Sequence, residues 1–288
     1  MKESLLALLT RRIDYAGLFP PAALPMRSAV EHYAAYRAGP DAWALARFVV
    51  PINRLDEFET AAEPHRNGTP WPLSVLAQAS DAATIEAFTI RLAGRASIDT
   101  VEARAAHVDE VAALAPLGAA VVVYAELPVR DDPTPLLAAV RSHGLRAKIR
   151  TGGVTADAFP SAAQVARFLA ACARLGVVFK ATAGLHHPLR GDYALTYDDN
   201  AERGPMFGFL NVFLAASFAR QGMPEETLVH LLETRDAHEF HVTPEAVSWR
   251  GHTLTTATLA ADRADLAVSF GSCSFREPLD DLQSLPLP

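Results

Sequence analysis

Of the 26 basic residues in this 288-residue chain, 23 are arginine and three are lysine: Lys2, Lys148 and Lys180. Arginine is the better partner for a static ion pair, because its planar fork is always charged and holds two acceptor oxygens at once. A lysine offers something else. Its amine gives up its proton when it is desolvated or set beside a second cation, and then attacks a carbonyl carbon to form a Schiff base. Two internal lysines in an arginine-biased chain therefore point to amine chemistry.

Side chains alternate between the two faces of a strand. In 146–151, Lys148 and Arg150 share one face while Ala147 and Ile149 share the other. In 177–183, Lys180 and Thr182 fall together, opposite Phe179 and Ala181. Glu102 and Arg104 share a face in 100–105, and Tyr124 and Glu126 do so in 119–127. Four successive strands thus offer a charged face, which is costly to bury unless the charges are paired or used. The competing reading is a paired ion layer without chemistry, in which Glu102 and Glu126 neutralise Lys148 or Arg150.

The elements that carry these residues alternate along the chain. Short β-branched runs at 12–18, 47–52, 73–78, 100–105, 119–127, 146–151 and 177–183 are separated by alanine-rich helical patterns at 26–37, 54–65, 82–92, 107–114, 135–143 and 161–175. Helix ends are marked: Asp81 precedes one, Ser161 with Gln164 forms a capping-box pattern, and Gly144 and Gly176 fall where helices should stop. Seven strands alternating with six helices predict a parallel sheet. A single (β/α)8 barrel over 1–288 fits the count best, with an open doubly wound sheet as the alternative. The irregular insert at about 185–254 reads as a long loop, two helices and a small hairpin excursion, and 266–270 is the expected eighth strand. A barrel needs an apolar outer face under its helices. The charged face must then line the lumen near the C-terminal strand ends, where such barrels do their chemistry.

The segment LRAKIRTGG, a helix, and then RLGVVFKATAG (145–184) resembles deoxyribose-phosphate aldolase and related Schiff-base aldolases. In that family a strand with a Thr-Gly turn precedes a helix, and the next strand carries a K-T-S-T-G-like run. The resemblance implies a barrel fold and sets Lys180 on the Schiff-base lysine and Thr151–Gly152 on the preceding turn. It also implies a second lysine one strand further on and an aspartate proton relay on an earlier strand. This chain has no lysine beyond Lys180. Our reading of the residues instead lets Lys148 lower the Lys180 pKa by like-charge proximity, with Glu126 or Glu102 moving the proton.

Other residues could complete such a site. Arg150, Thr182, His186 and Arg190 are candidates for substrate contact. Backbone N–H groups at Gly152, Gly153, Gly184, Gly271 and Ser272 could cradle a phosphate or merely shape turns. Adjacent His186 and His187 should point apart, so that one enters the site. Asp14 is a relay carboxylate or a cap. Cys273 is either a nucleophile or a packing cysteine, and with no histidine beside it in sequence the packing reading comes first. The expectation is a lyase without cofactor, acting on an aldehyde or ketone that carries a phosphate or not. The alternatives are a metal-dependent isomerase, hydrolase or decarboxylase holding a divalent ion at Glu126 and His186, and a non-catalytic barrel binding an anion or a partner.

Composition narrows the partners. A formal charge of −7 gives no support for nucleic acid or an anionic membrane surface. Two cysteines make no disulfide framework, and the short apolar run Leu5–Leu9 is a poor signal segment. These features lead us to expect a cytoplasmic enzyme with a small-molecule substrate, leaving homo-oligomerisation open.

Overall fold

The computed structural model describes residues 1–287. Eight parallel strands close into a barrel, in the lateral order first, eighth, seventh, down to second. They are β1 (Ile13–Tyr15), β2 (Leu45–Pro51), β3 (Trp71–Leu76), β4 (Ala96–Arg104), β5 (Val122–Leu127), β6 (Arg146–Arg150) and β7 (Phe179–Thr182), closed by Ala267–Ser272. The helices are α1 (Glu3–Leu9), α2 (Met26–Ala38), α3 (Leu55–Ala62), α4 (Ala82–Arg91), α5 (Val108–Leu114), α6 (Thr134–Ser142) and α7 (Ala162–Leu175), followed by α8 (Phe209–Arg220), α9 (Glu225–Glu233), α10 (Thr256–Asp265) and α11 (Arg276–Ser284). This is the (β/α)8 architecture, and the open-sheet alternative is excluded by the pairing of β1 with both β2 and the closing strand.

Local chemistry explains several boundaries. Ser161 and Gln164 form a reciprocal capping box at the start of α7, and Gly176 ends that helix at φ 65°. Asp81 acts differently from its sequence reading: its carboxylate accepts from the Gln78 N–H across the preceding turn of 3-10 helix, rather than capping α4. Strand one is short, leaving Arg12 buried below it, and β5 starts at Val122 because a 3-10 turn takes up 115–119.

The insert holds more regular structure than expected. Its loop contains a two-stranded hairpin, β8 (Gly191–Ala194) with β9 (Arg203–Met206). The hairpin excursion is a three-stranded antiparallel sheet of β10 (Phe240–Val242), β11 (Ala246–Trp249) and β12 (His252–Thr255). The closing strand is therefore β13 (Ala267–Ser272), two residues longer at its C-terminal end than the expected strand eight. Helix α8 is buried from Phe209 to Ala219, so it lacks the polar stripe of a surface helix; it packs against α7, α9, α10 and β13.

The strand faces divide as the alternation requires. Ala147, Ile149, Phe179 and Ala181 are fully buried. Phe179 meets Phe168 of α7 edge to face at 5.6 Å, and Phe270 stacks on Phe209 of α8 at 5.5 Å. With the apolar face committed to the helices, the charged face fills the lumen. Among the described residues, no helix is long and apolar enough to cross a membrane.

Candidate active site

The parallel register sets Lys148 opposite Lys180, Glu126 opposite Lys148, and Arg104 opposite Glu126. The side chains then interlock into a chain of alternating charge. Lys180 Nζ donates to Asp14 Oδ2 at 2.6 Å and to Glu102 Oε1 at 2.5 Å. The other Glu102 oxygen lies 2.6 Å from Lys148 Nζ, which also reaches Glu126 Oε2 at 2.7 Å. Arg150 Nε closes the series at 3.3 Å from Glu126 Oε1. Three acids, Asp14, Glu102 and Glu126, face three bases, Lys180, Lys148 and Arg150. A layer of this size can be buried because each charge has an opposite neighbour.

Neutral groups finish the network. The Ser74 hydroxyl donates to Glu102 Oε1 at 2.6 Å, and the Ser269 hydroxyl donates to Asp14 Oδ2 at 2.7 Å. The remaining Asp14 oxygen accepts the Arg47 backbone N–H at 3.0 Å. Asp14 is thus a fixed member of the network, and it caps no helix.

Electrostatics follow from the pairing. Burial alone would raise the Glu102 carboxyl, but Lys148 and Lys180 outweigh it and hold the group well below the carboxylate range. Glu126 is lowered too, with Lys148 and Arg150 overcoming its partial burial. Burial would lower the Lys180 ammonium, yet Asp14 and Glu102 override that and hold it above the ordinary lysine range. This corrects the expectation that Lys148 lowers the Lys180 pKa: two carboxylates stand closer to Lys180 than its like-charged neighbour's influence can offset.

A cavity of about 300 Å³ opens over this layer at the C-terminal strand ends. Glu102, Lys148, Arg150 and Thr182 border it, with Gly153, Gly184, His186 and Gly271. Lys180 does not border it: its side chain is 1% exposed, beneath Asp14 and Glu102. An adjoining cleft of about 350 Å³ is bordered by Glu126 and Arg104 and shares Glu102, Lys148 and Arg150 with the first. Lys148, itself buried with its side chain 4% exposed, is the lysine that borders this space.

Several candidates lie elsewhere. Arg190 reaches the Pro205 carbonyl at 2.7 Å and lies over the Phe207 ring, which fastens the hairpin and leaves no anion clamp in the cavity. The Ser272 hydroxyl is buried without a hydrogen-bond partner, while its neighbours Gly271 and Cys273 border the cavity; alternation turns Ser272 away from it. Gly152 also stays off the cavity. A Cβ there would lie 2.4 Å from the Phe159 ring, and one on Gly184 would meet the same ring at 2.8 Å and Gly152 Cα at 3.1 Å. Ala183 and Gly184 both have positive φ, 62° and 70°, and the Thr151 hydroxyl donates to the Ala183 carbonyl at 2.6 Å. These glycines let the loops after β6 and β7 close around Phe159.

His186 enters the cavity and His187 turns away, stacked on Tyr193 at 3.5 Å and bonded to Asp281 at 2.5 Å. Glu126 and His186 have separate partners, Lys148 and Arg150 for the first and Glu277 for the second. Among the described residues, no group of three or more His, Cys, Asp or Glu side chains is arranged to hold a metal ion.

Fold and site together define a (β/α)8 barrel with a cavity over a buried lysine–carboxylate network. No family model matches the chain, and neither a curated protein nor a solved structure does so.

Proposed function

We propose that this protein is an aldolase-type lyase in which Lys148 forms the imine and Lys180 is its cationic neighbour. The observation that carries the reading is the shared carboxylate: Glu102 bridges both ammonium groups, and of the two lysines only Lys148 borders the cavity. The resemblance implies the imine at Lys180, and our reading of the residues made Lys148 the neighbouring cation; the two roles are exchanged here. Lys180, held protonated by Asp14 and Glu102, is a poor nucleophile but a permanent positive charge. It shares Glu102 with Lys148.

The chemistry would run as follows. The Lys148 proton leaves by way of Glu126, 2.7 Å from Nζ and 13% exposed, which passes it on rather than keeping it. The free amine adds to the carbonyl carbon of an aldehyde or ketone, and loss of water from the carbinolamine gives the imine. The protonated imine accepts the electron pair of the Cα–Cβ bond as it breaks to give an enamine, a carboxylate takes the β-hydroxyl proton so that the second carbonyl compound leaves, and reprotonation and hydrolysis return the Lys148 amine. Arg150, 44% exposed at the cavity edge, is suited to an anionic substituent such as phosphate.

A non-catalytic barrel that binds a small anion would share both the paired lysines and the cavity, so covalent trapping is what separates the two readings. Borohydride trapping with a panel of small aldehydes, with and without phosphate, tests the proposal. The expected result is a reduced adduct mapped to Lys148. An adduct on Lys180 alone would restore the role that the sequence resemblance gave it, and no adduct on either lysine across the panel would remove the aldolase reading.

A further inference from the structure

A second group of reactive side chains meets the same cavity. Cys273 follows directly on β13 and borders the cavity together with His186, which comes from the loop after β7. The sulfur lies 4.0 Å from both ring nitrogens of His186, and Nδ1 is also bonded to Glu277 Oε2 at 2.9 Å, which leaves Nε2 as the nitrogen able to take the thiol proton. Tyr197, from the loop after β8, spans the two ends: its hydroxyl donates to the same Glu277 oxygen at 3.1 Å and lies 3.6 Å from the sulfur. A thiol, an imidazole free to take its proton and a carboxylate orienting that imidazole are the three parts of an activated nucleophile. The two side chains are 87 positions apart, and barrel closure brings them together.

We propose that Cys273, His186 and Glu277 form a thiolate–imidazolium site that captures the carbonyl carbon of a small aldehyde in the lysine cavity. The charges around the sulfur favour this state. Burial alone would lower His186, but Cys273 and Glu277 outweigh it and carry the imidazole up to about 10. Burial would raise the thiol, but His186, Tyr197 and the Ala22 backbone hold it below the ordinary thiol value. Tyr15 of β1 also faces the group, and burial keeps its phenol neutral. Cys172, enclosed in α7 with only apolar burial acting on it, is pushed up and stays inert.

The step balances without a co-reactant. The thiolate pair forms the carbon–sulfur bond, the carbonyl π pair moves to oxygen, and the His186 proton passes to that oxygen. The product is a neutral hemithioacetal, and reversal releases the aldehyde. Such a site would retain the electrophilic half of a carbon–carbon bond-forming or bond-breaking reaction beside Lys148.

Two measurements on the intact protein test this, independently of imine formation. Iodoacetamide, at a pH about two units below the ordinary thiol value, should alkylate Cys273 at least about tenfold faster than free cysteine, as expected for a depressed thiol pKa. Peptide mapping separates it from Cys172. His186→Gln should bring the rate down to that of free cysteine. Carbonyl-13C glycolaldehyde should give a tetrahedral hemithioacetal resonance that is lost in Cys273→Ser, distinct from the trigonal imine carbon expected at Lys148. A Cys273 rate equal to that of free cysteine, a rate unchanged by His186→Gln, or no tetrahedral signal beyond that of Cys273→Ser would each overturn the proposal. A borohydride adduct on Lys148 alongside any of these would leave the aldolase reading standing alone.

Discussion

Lys148 and Lys180 stand opposite one another on neighbouring strands, and one carboxylate, Glu102, lies within 2.6 Å of both ammonium nitrogens. Glu102 is thus the joint of the buried network. Replacing it with glutamine leaves Lys180 with Asp14 and Lys148 with Glu126, but removes the one charge that both lysines share. Breaking a buried ion pair on one side costs about 3–5 kcal/mol, more than the pair contributes when both members go together. Glu102→Gln should therefore destabilise strongly in chemical denaturation. Glu126→Gln should cost less, because Glu126 is 13% exposed and Arg150, 44% exposed, can turn to water. Equal losses for the two variants would contradict the central place given to Glu102.

Acid should unfold the protein through the same carboxylates. Glu102, Glu126 and Glu277 all have folded pKa values below the ordinary 4.5. A depressed folded pKa means that the unfolded chain takes up protons first. The stabilisation is fully present above the unfolded value and is lost as pH falls towards the folded one. Lys180 has the opposite sign: its raised folded pKa keeps its contribution intact below the ordinary 10.5, and loss comes only at higher pH. Thermal melts should hold steady near neutrality and fall progressively below about pH 4.5. A melting temperature unchanged down to pH 3 would mean that these carboxylates are not paired as described.

The loop after β7 supplies a third test. Gly184 has φ 70°, and a Cβ there would press on Phe159 and on the Gly152 backbone. Gly68 has φ 82° with nothing within 4 Å of the site of a Cβ. Gly68→Ala isolates the conformational cost, roughly 1 kcal/mol. Gly184→Ala adds the clash, so it should destabilise more and disturb trapping at Lys148, since Gly184 and Lys148 border one cavity. Indistinguishable melts for the two variants would show that Phe159 can yield.

What the sequence discloses here depends on how local the signal is. The barrel is legible because each strand and helix carries its own periodicity and caps. The inward face of Glu102, Glu126, Lys148 and Lys180 follows from alternation within single strands. The contact of Asp14 with Lys180 spans 166 positions and exists only because β13 seats β1 close to β7, so no local pattern reports it. The closeness of Cys273 to His186 is hidden in the same way. The Ser272 side chain stands off the cavity for a different reason: β13 runs two residues past the apolar run that marks it, and alternation there sets Gly271 and Cys273, not Ser272, on the cavity. Arg190 looks like a loop cation until β8 and β9 pair and bring Phe207 beneath it.

The assignment of separate roles to the two lysines gives the most exacting prediction. Lys148→Arg keeps a cation beside Glu102 and Glu126 but cannot form an imine, so borohydride trapping should vanish while the fold survives. Lys180→Met keeps the reactive amine and removes its neighbour. Asp14 and Glu102 then lose a shared partner, at a cost of about 3–5 kcal/mol in stability. Trapping in Lys180→Met should remain at Lys148. Trapping that persists in Lys148→Arg and disappears in Lys180→Met, with both variants folded by circular dichroism, would transfer the nucleophile to the deeper lysine. The 1% exposure of Lys180 would then demand that Asp14 and Glu102 release it before any substrate could reach it.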